Sequence, residues 1–199
     1  FSLVKRILKL IPDLKQLRLT SLDCAEITDD FWSILNEKRL MPYFHLSIQS
    51  GNNLILKRMK RRHNREQVID FCRKVRSIRK DVVFGADIIA GFPTETKKLA
   101  FDTIELNRHI DATNSNIYTF IPFHGTPLRK MCEDLGLIDH KTITKCNTMS
   151  PQLSMPQYPP HEIDEIRKCF SLYVKFPKNR WKEIDRAEKN DKEGNRIFK

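Results

Sequence analysis

The sequence predicts an α/β fold in which repeated strand–helix units build a parallel sheet. Two segments, FHLSIQSGNN over residues 44 to 53 and FGADIIAGFPTET over 84 to 96, each read as a strand running into a glycine turn and then a helix. Strand starts fall near residues 15, 44, 82 and 115. Spacings of about 30 to 40 residues leave room for one helix per crossover, as parallel pairing requires. The chain has 199 residues, 40% hydrophobic and 31% charged, enough for one domain with a sizeable core. Four such units are half of an eightfold barrel.

The elements follow in order. Residues 1 to 11, FSLVKRILKLI, place apolar side chains at helical spacing, and Pro12 stops that helix. Leu17 and Leu19 alternate in QLRLTS, a strand. Thr28 then offers an N-cap, with Asp29 and Asp30 at the positive end of a helix carrying Phe31, Trp32, Ile34 and Leu35. In the strand 44–49, Phe44, Leu46 and Ile48 alternate with His45, Ser47 and Gln49. A strand covered on both faces would be apolar throughout, so the polar face is expected to line a site. Asn53 is expected to cap a helix holding Leu54, Ile55 and Met59. Asn64 and Gln67 have the spacing of a capping box, ahead of an apolar face of Val68, Phe71, Cys72, Val75 and Ile78. VVFGADII, residues 82 to 89, is a buried strand. Thr96 caps the next helix, although Lys97 and Lys98 occupy its first turn, where cations are unfavourable. The last strand is expected over 115–122, with Asn116, Tyr118, Phe120 and Pro122 on one face, and HGTPLRKM leads into a helix. TMSPQLSMPQYPP reads as a Pro-rich linker, 161–174 as a helix, and the lysine-rich end after Trp181 as polar and frayed. The expected division is a barrel part, 1–140, and a linker with a C-terminal extension, 141–199.

The formal net charge is +11. The excess is concentrated between residues 57 and 80, where Lys and Arg face only Glu66 and Asp70. Such a stretch suits a phosphate backbone or, equally, a solvated helix face. No apolar run approaches the roughly 18 residues of a membrane span, and no signal peptide is visible. The chain begins at Phe1 rather than Met, so an upstream part is expected. The five cysteines, Cys24, Cys72, Cys132, Cys146 and Cys169, are widely and irregularly spaced, which argues against disulfides and zinc and for buried structural thiols.

HLSIQSGNNLILKRMKRRH, DIIAGFPTET and LRLTSLD resemble the radical S-adenosylmethionine (SAM) methylthiotransferases that modify tRNA, most closely the branch acting on threonylcarbamoyl-adenosine beside the anticodon. The resemblance covers residues 1 to about 110. It implies a partial (β/α) barrel of the radical SAM type, of which this chain supplies strands three to six only, with a C-terminal helical extension. It implies SAM and a 4Fe-4S cluster as cofactors, tRNA as partner of the whole protein together with the front half of the barrel, and a cytoplasmic location away from membranes. The cluster motif CxxxCxxC does not occur here, so the cluster ligands are expected outside this chain, and no catalytic or metal-ligating residue is assigned within it.

Carried over by the resemblance, the SAM cradle is Gln49, Ser50, Asp87, Ile89, Gly91, Phe92, Pro93, Tyr118 and Pro122. Each also has a plainer reading. Ser50 with Gly51 stabilises a turn, Gly91-Phe92-Pro93 is a tight turn, Tyr118 packs in the core, and Asp87 needs a partner that is either a ligand or a neighbouring Arg. His45 reads as structural. RNA contact is assigned to Lys57, Arg58, Lys60, Arg61 and Arg62. From about residue 112, ATNSNIYTFIPFHGTPLRKMCEDLGLIDHKTIT and CFSLYVKFPKNRWKEIDRAEKNDKEGN resemble instead the end of cobalamin-binding radical SAM proteins. A fragment of a cobalamin-dependent enzyme, and an inactive remnant or basic RNA-binding piece, are therefore the alternatives.

Overall fold

The computed structural model describes all residues, 1–199. Helix α1 (Ser2–Leu10) buries Leu8 and ends at Ile11, ahead of Pro12. The strand expected at Leu17–Leu19 is reduced to two isolated parallel bridges, Leu17 with Leu40 and Leu22 with Leu46. The bridges lie five residues apart on one side and six on the other, so a continuous ladder would put one segment's side chains on the wrong face. Helix α2 (Asp29–Ile34) starts at Thr28 as expected, but the Thr28 side chain makes no capping bond, leaving Asp29 and Asp30 to offset the helix dipole.

Three full strands follow: β1 (Tyr43–Gln49), β2 (Val83–Ala90) and β3 (Ala112–Thr119), parallel and in the order β1-β2-β3. Strand β3 is displaced from the expected 115–122. Pro122 has no N–H to give to a ladder, and the Thr119 N–H turns away to Asn147 O at 2.9 Å. Between β1 and β2 lie α3 (Asn53–Arg58) and α4 (Arg65–Ile78). The cap of α3 is Asn52, not Asn53: its side chain accepts from the amides of Leu54 and Ile55, while Asn53 accepts from Arg65 N. The capping box of Asn64 and Gln67 forms as read. Helix α5 (Lys97–His109), capped by Thr96, connects β2 to β3, and α6 (Pro127–Asp134) follows β3.

One face of the sheet carries Phe44, Leu46, Ile48, Phe84, Ala86 and Ile88, all buried under α2, α4 and α5. The opposite face carries Tyr43, His45, Ser47, Asp87, Ile89, Asn116 and Tyr118, all half-buried. The two-residue period of the strands produces this division.

The C-terminal third packs more tightly than its composition suggests. Leu153, Met155 and Tyr158 of the Pro-rich stretch are buried and share one hydrophobic cluster with the sheet. Helix α7 (Pro160–Lys175) lies against α5, and the end expected to fray forms α8 (Trp181–Glu188) and α9 (Lys192–Phe198), with Ile184 and Ala187 buried. Lys97 pairs with the fully buried Glu188, which also accepts from the Tyr173 hydroxyl at 2.9 Å. That ion pair accounts for a lysine in the first turn of α5. At the other end of α5, Arg108 donates to the carbonyls of Tyr173, Val174 and Phe176 and closes the end of α7.

Phe31 has no exposed surface, and its ring lies within 5.0 to 5.7 Å of those of Phe1, Trp32, Phe44 and Phe71. We expect Phe31→Ala to cost about 3–5 kcal/mol in urea unfolding, as truncation of a fully buried aromatic does. A loss below about 1 kcal/mol would place this aromatic cluster outside the cooperative core.

Candidate functional site at the carboxyl edge of the sheet

The turns after the strands hold most of the strained backbone. Ser21 (φ 56), Gln49 (φ 68), Gly91 (φ 77), Thr94 (φ 74) and Gly125 (φ 75) all follow a strand or bridge, and Lys60 (φ 56) ends the helix after β1. Only Asp111 (φ 45) and Gly136 (φ 67) stand elsewhere. Left-handed backbone at non-glycine residues collects at functional sites, and the carboxyl ends of parallel strands are where α/β folds bind ligands.

The first turn is a hydrogen-bonded unit with α5. Ser50 is fully buried; its Oγ lies 3.4 Å from Thr103 Oγ1 and accepts from Asn52 N at 3.2 Å. Gly51 N donates to Thr103 Oγ1 at 2.8 Å, and a Cβ on Gly51 would stand 2.5 Å from the Asp102 carbonyl oxygen. The contacts of Ser50 are those of a turn-stabilising residue. Gln49, 9% exposed, stands at the rim beside it.

In the second turn Gly91 donates its N–H to the carboxylate of Glu95 at 2.7 Å. A Cβ at Gly91 would meet Ile163 Cδ1 of α7 at 2.8 Å, so the side that glycine leaves open is filled by the protein itself. Phe92 is buried and stacks edge-to-face on Phe120, with centroids 5.2 Å apart at 78°. Pro93 and Pro122 are buried, and Tyr118 pairs in register with Ile89.

A cavity of about 220 Å³ opens between these turns. Ile89, Phe92 and Phe120 line it with Met59 and Leu128, and Lys60 and Arg61 flank it. Sequence-assigned residues of both kinds, Ile89 and Phe92 for the cofactor and Lys60 and Arg61 for RNA, therefore meet in one place. Gln49, Ser50, Asp87, Gly91, Pro93, Tyr118 and Pro122 stay outside its lining. A second, wholly polar hollow is lined by Lys57, Arg61 and Arg62 together with Asn53, Asn64 and Gln67.

Among the basic residues, Arg62 is paired with Glu26 and Arg58 donates to the Thr94 hydroxyl. Lys57, Lys60 and Arg61 make no ion pair. Beneath them His63, 3% exposed, contacts Asp23 Oδ1 at 3.1 Å and the Ile48 carbonyl at 3.2 Å. Burial pushes the Asp23 carboxyl up, but the Ala25 amide and His63 outweigh it and hold the group below the usual carboxylate range. Asp87 finds no Arg: His45 Nε2 lies 2.8 Å from its Oδ1, and Asn116 Nδ2 donates to the same oxygen at 3.1 Å.

The sequence reading missed Glu95. It is 1% exposed, and burial pushes its carboxyl up to about 7 despite the amides of Gly91 and Phe92. Burial pushes the Cys24 thiol up to about 12, Cys132 and Cys169 up to about 11, and Cys72 upward as well, whereas Cys146, expected to be a buried structural thiol, is exposed and held below its ordinary value by its hydrogen bonds to Thr148. No three His, Cys, Asp or Glu side chains converge on one point. No helix is long and apolar enough to cross a membrane.

The Glu95 shift carries a stability consequence. The folded state holds the proton up to about pH 7, whereas an unfolded Glu releases it near its ordinary value of 4.5. The unfolded state therefore binds fewer protons between these values, and stability falls as pH rises through that window, by about 3 kcal/mol in total. Urea titrations from pH 4 to 8 should show this slope in the parent and a flatter profile in Glu95→Gln, whose side-chain carbonyl still accepts from Gly91. An identical slope in the two proteins would assign the pH dependence to another group.

The chain is similar in sequence to known proteins. Threonylcarbamoyladenosine tRNA methylthiotransferase MtaB of Rickettsia prowazekii (strain Madrid E) is 49% identical over 131 residues, covering 65% of this chain and 31% of that protein. The tRNA-2-methylthio-N(6)-dimethylallyladenosine synthases of Rickettsia canadensis (strain McKiel) and Rickettsia bellii (strain OSU 85-389) are 40% identical over 123 residues and 38% over 127, each over 28% of its own length. The chain thus spans about a third or less of these relatives. The Radical SAM superfamily profile matches residues 2–106, more than half of the chain, and the chain belongs to that superfamily.

Proposed function

We propose that this chain is the part of a radical SAM tRNA methylthiotransferase that cradles SAM and faces the RNA, the whole enzyme adding a methylthio group to a modified adenosine next to the anticodon. The observation that carries the reading is the cavity at the strand ends, with apolar walls at Ile89, Phe92 and Phe120 and two cations without ion pairs, Lys60 and Arg61, at its side. An adenine ring needs flat apolar surface, and edge-to-face aromatic rings supply it. Lysine and arginine at the rim neutralise phosphate.

The residues present fit SAM but not its cluster partner. Ile89, Phe92 and Phe120 would hold the adenine and exclude water from it. Gln49, at the end of β1, would meet its polar part, with Ser50 holding the turn beneath it and Asp87, Gly91, Pro93, Tyr118 and Pro122 around them. The chemistry that SAM supplies when bound is methyl transfer and radical initiation. No three of the cysteines, alone or with His, Asp or Glu, converge on one point, so these residues do not fit a 4Fe-4S cluster, which thiolates on neighbouring positions hold. We assign the cluster ligands to sequence outside these residues. RNA contact falls to Lys57, Arg58, Lys60 and Arg61, with Arg62 already neutralised by Glu26.

The activity itself is tested by joining the preceding portion of the Rickettsia prowazekii relative to this chain and analysing tRNA nucleosides by mass spectrometry. Methylthio-adenosine formation that disappears in Phe92→Ala supports the reading. A folded, cluster-loaded fusion that cleaves SAM and leaves tRNA unmodified would sink it.

The RNA face is tested on the chain as it stands, by fluorescence anisotropy with an anticodon stem-loop. Replacing Lys57, Arg58, Lys60 and Arg61 together by Gln should abolish binding at low salt, and each lost phosphate contact should lower the salt slope by roughly 0.7–0.9. Arg62→Gln alone should change affinity least. Equal binding by the fourfold variant would mean that these cations are merely solvated.

A further inference from the structure

We propose that Asp87 is an acceptor for the exocyclic amine of an adenine nucleoside on the inner face of the sheet, and that His45 and Asn116 are the residues that position it. The inference rests on the reading that this edge handles nucleosides, and it names a group which that reading leaves without a role of its own.

Asp87 stands on the half-buried face of β2, two residues before Ile89, which lines the rim cavity. At about 3.3 Å per residue it lies roughly 7 Å deeper. Both side chains that reach Asp87 meet the same oxygen, Oδ1: Asn116 Nδ2 donates to it at 3.1 Å, and His45 Nε2 lies 2.8 Å from it. Oδ2 has no protein partner, and the side chain keeps 24% of its surface exposed. A carboxylate anchored through one oxygen presents the other as a fixed acceptor.

The anchor is itself built. His45 is held from its other side, its Nδ1 lying 2.9 Å from the Tyr43 hydroxyl. Gly85, opposite His45 in the ladder, makes the space: a Cβ there would collide with the Tyr43 hydroxyl and stand 2.6 Å from His45 Nδ1. Asn116 is held in turn by Asn114 Nδ2 at 3.4 Å. A fixed anionic acceptor selects an N–H donor. Adenine offers an amine at its six position, whereas hypoxanthine offers a carbonyl oxygen there, which a carboxylate repels. The adenine can belong to SAM or to the RNA, and the two share this chemistry.

The test follows the imidazole signals of His45 and the side-chain amide of Asn116 by NMR in the full chain, titrated with adenosine and with inosine. Adenosine should shift both saturably, and inosine should bind about tenfold or more weakly, because a site built to pair with a donor rejects the analogue lacking it. In Asp87→Asn, whose amide both donates and accepts, the two nucleosides should bind within a few-fold of each other. Separate titrations with S-adenosylhomocysteine and with a short adenosine-containing RNA identify the source, and a response of His45 to either one supports the proposal. Equal affinity of the parent for adenosine and inosine would overturn it without recourse to any variant. Adenosine that moves Phe92 and Ile89 while leaving His45 and Asn116 unshifted would also overturn it, with the reading of the rim cavity intact. Silence at both places would remove the two together.

Discussion

Parallel pairing of β1 with β2 and of β2 with β3 puts all three strand ends on one rim, and the site depends on that alignment. Register decides which side chains share a level. His45 stands opposite Gly85, and Asp87 opposite Asn116, so a carboxylate, an imidazole and an amide meet in the middle of the half-open face. A shift of one residue would bury that set and expose Phe84, Ala86 and Ile88. The hydrophobic face therefore fixes the polar one. Phe31, Phe44, Phe71 and Phe84 lock the sheet against α2 and α4, and the functional side chains take the positions that remain.

The rim is not held by the sheet alone. The turn after β2 is tied inward by Glu95 and covered by Ile163 of α7, 73 positions C-terminal to the donor Gly91's neighbour Ala90. Any side chain at Gly91 would meet both a positive φ and that isoleucine, so substitution there reads the docking of α7 before it reads a ligand. Helix α7 is secured by the Tyr173 hydroxyl, which donates to the Glu188 of α8 that pairs with Lys97 of α5, and by Arg108 at its carbonyl end. A buried pair of this kind adds little net stability over an apolar one, but breaking one member is costly. It thus commits the C-terminal helices to one position against α5, and through α7 it confines the turn beside the cavity.

Much of this was legible in the sequence because the signals were local. Alternation over Phe44–Gln49, the capping box of Asn64 and Gln67, and Thr96 before an apolar run each depend on residues within a few positions of one another, and each stands as read. The failures were non-local. Whether Leu17–Leu22 makes a ladder depends on the spacing of its partners at Leu40 and Leu46, which no local pattern reports. The lysine-rich end looked frayed because its apolar residues are sparse, yet Ile184 and Ala187 suffice once Trp181 finds Phe101 and Tyr173. In the site, Ile89 and Phe92, read as cofactor contacts, and Lys60 and Arg61, read as RNA contacts, line one cavity, a juxtaposition that only the fold reveals. Glu95 was missed because a glutamate after a turn is usually solvated, and only its burial under the Gly91 amide makes it unusual. The partner of Asp87 was read as either a ligand or an arginine, and His45 came near it only through the register that sets His45 opposite Gly85 on the same strand as Asp87.

The charge distribution follows from the same geometry. Glu26 beside the basic turn pairs with Arg62, and Asp23 beneath it is hydrogen-bonded to His63, so the net positive field at the rim comes from Lys57, Arg58, Lys60 and Arg61. Two of them, Lys60 and Arg61, flank an apolar cavity, and Lys57 lines the polar hollow that shares Arg61. Low-dielectric walls concentrate a field instead of screening it, so the same cations attract a phosphate more strongly here than on an open helix face. An apolar slot beside unpaired cations is complementary to a nucleotide as a unit: the base loses water against the aromatic rings while the phosphate keeps its charge compensated. An apolar ligand would leave the cations unused, and a simple anion would leave the slot empty. The +11 of the chain is thus spent unevenly, with the part relevant to binding set where the three strands end.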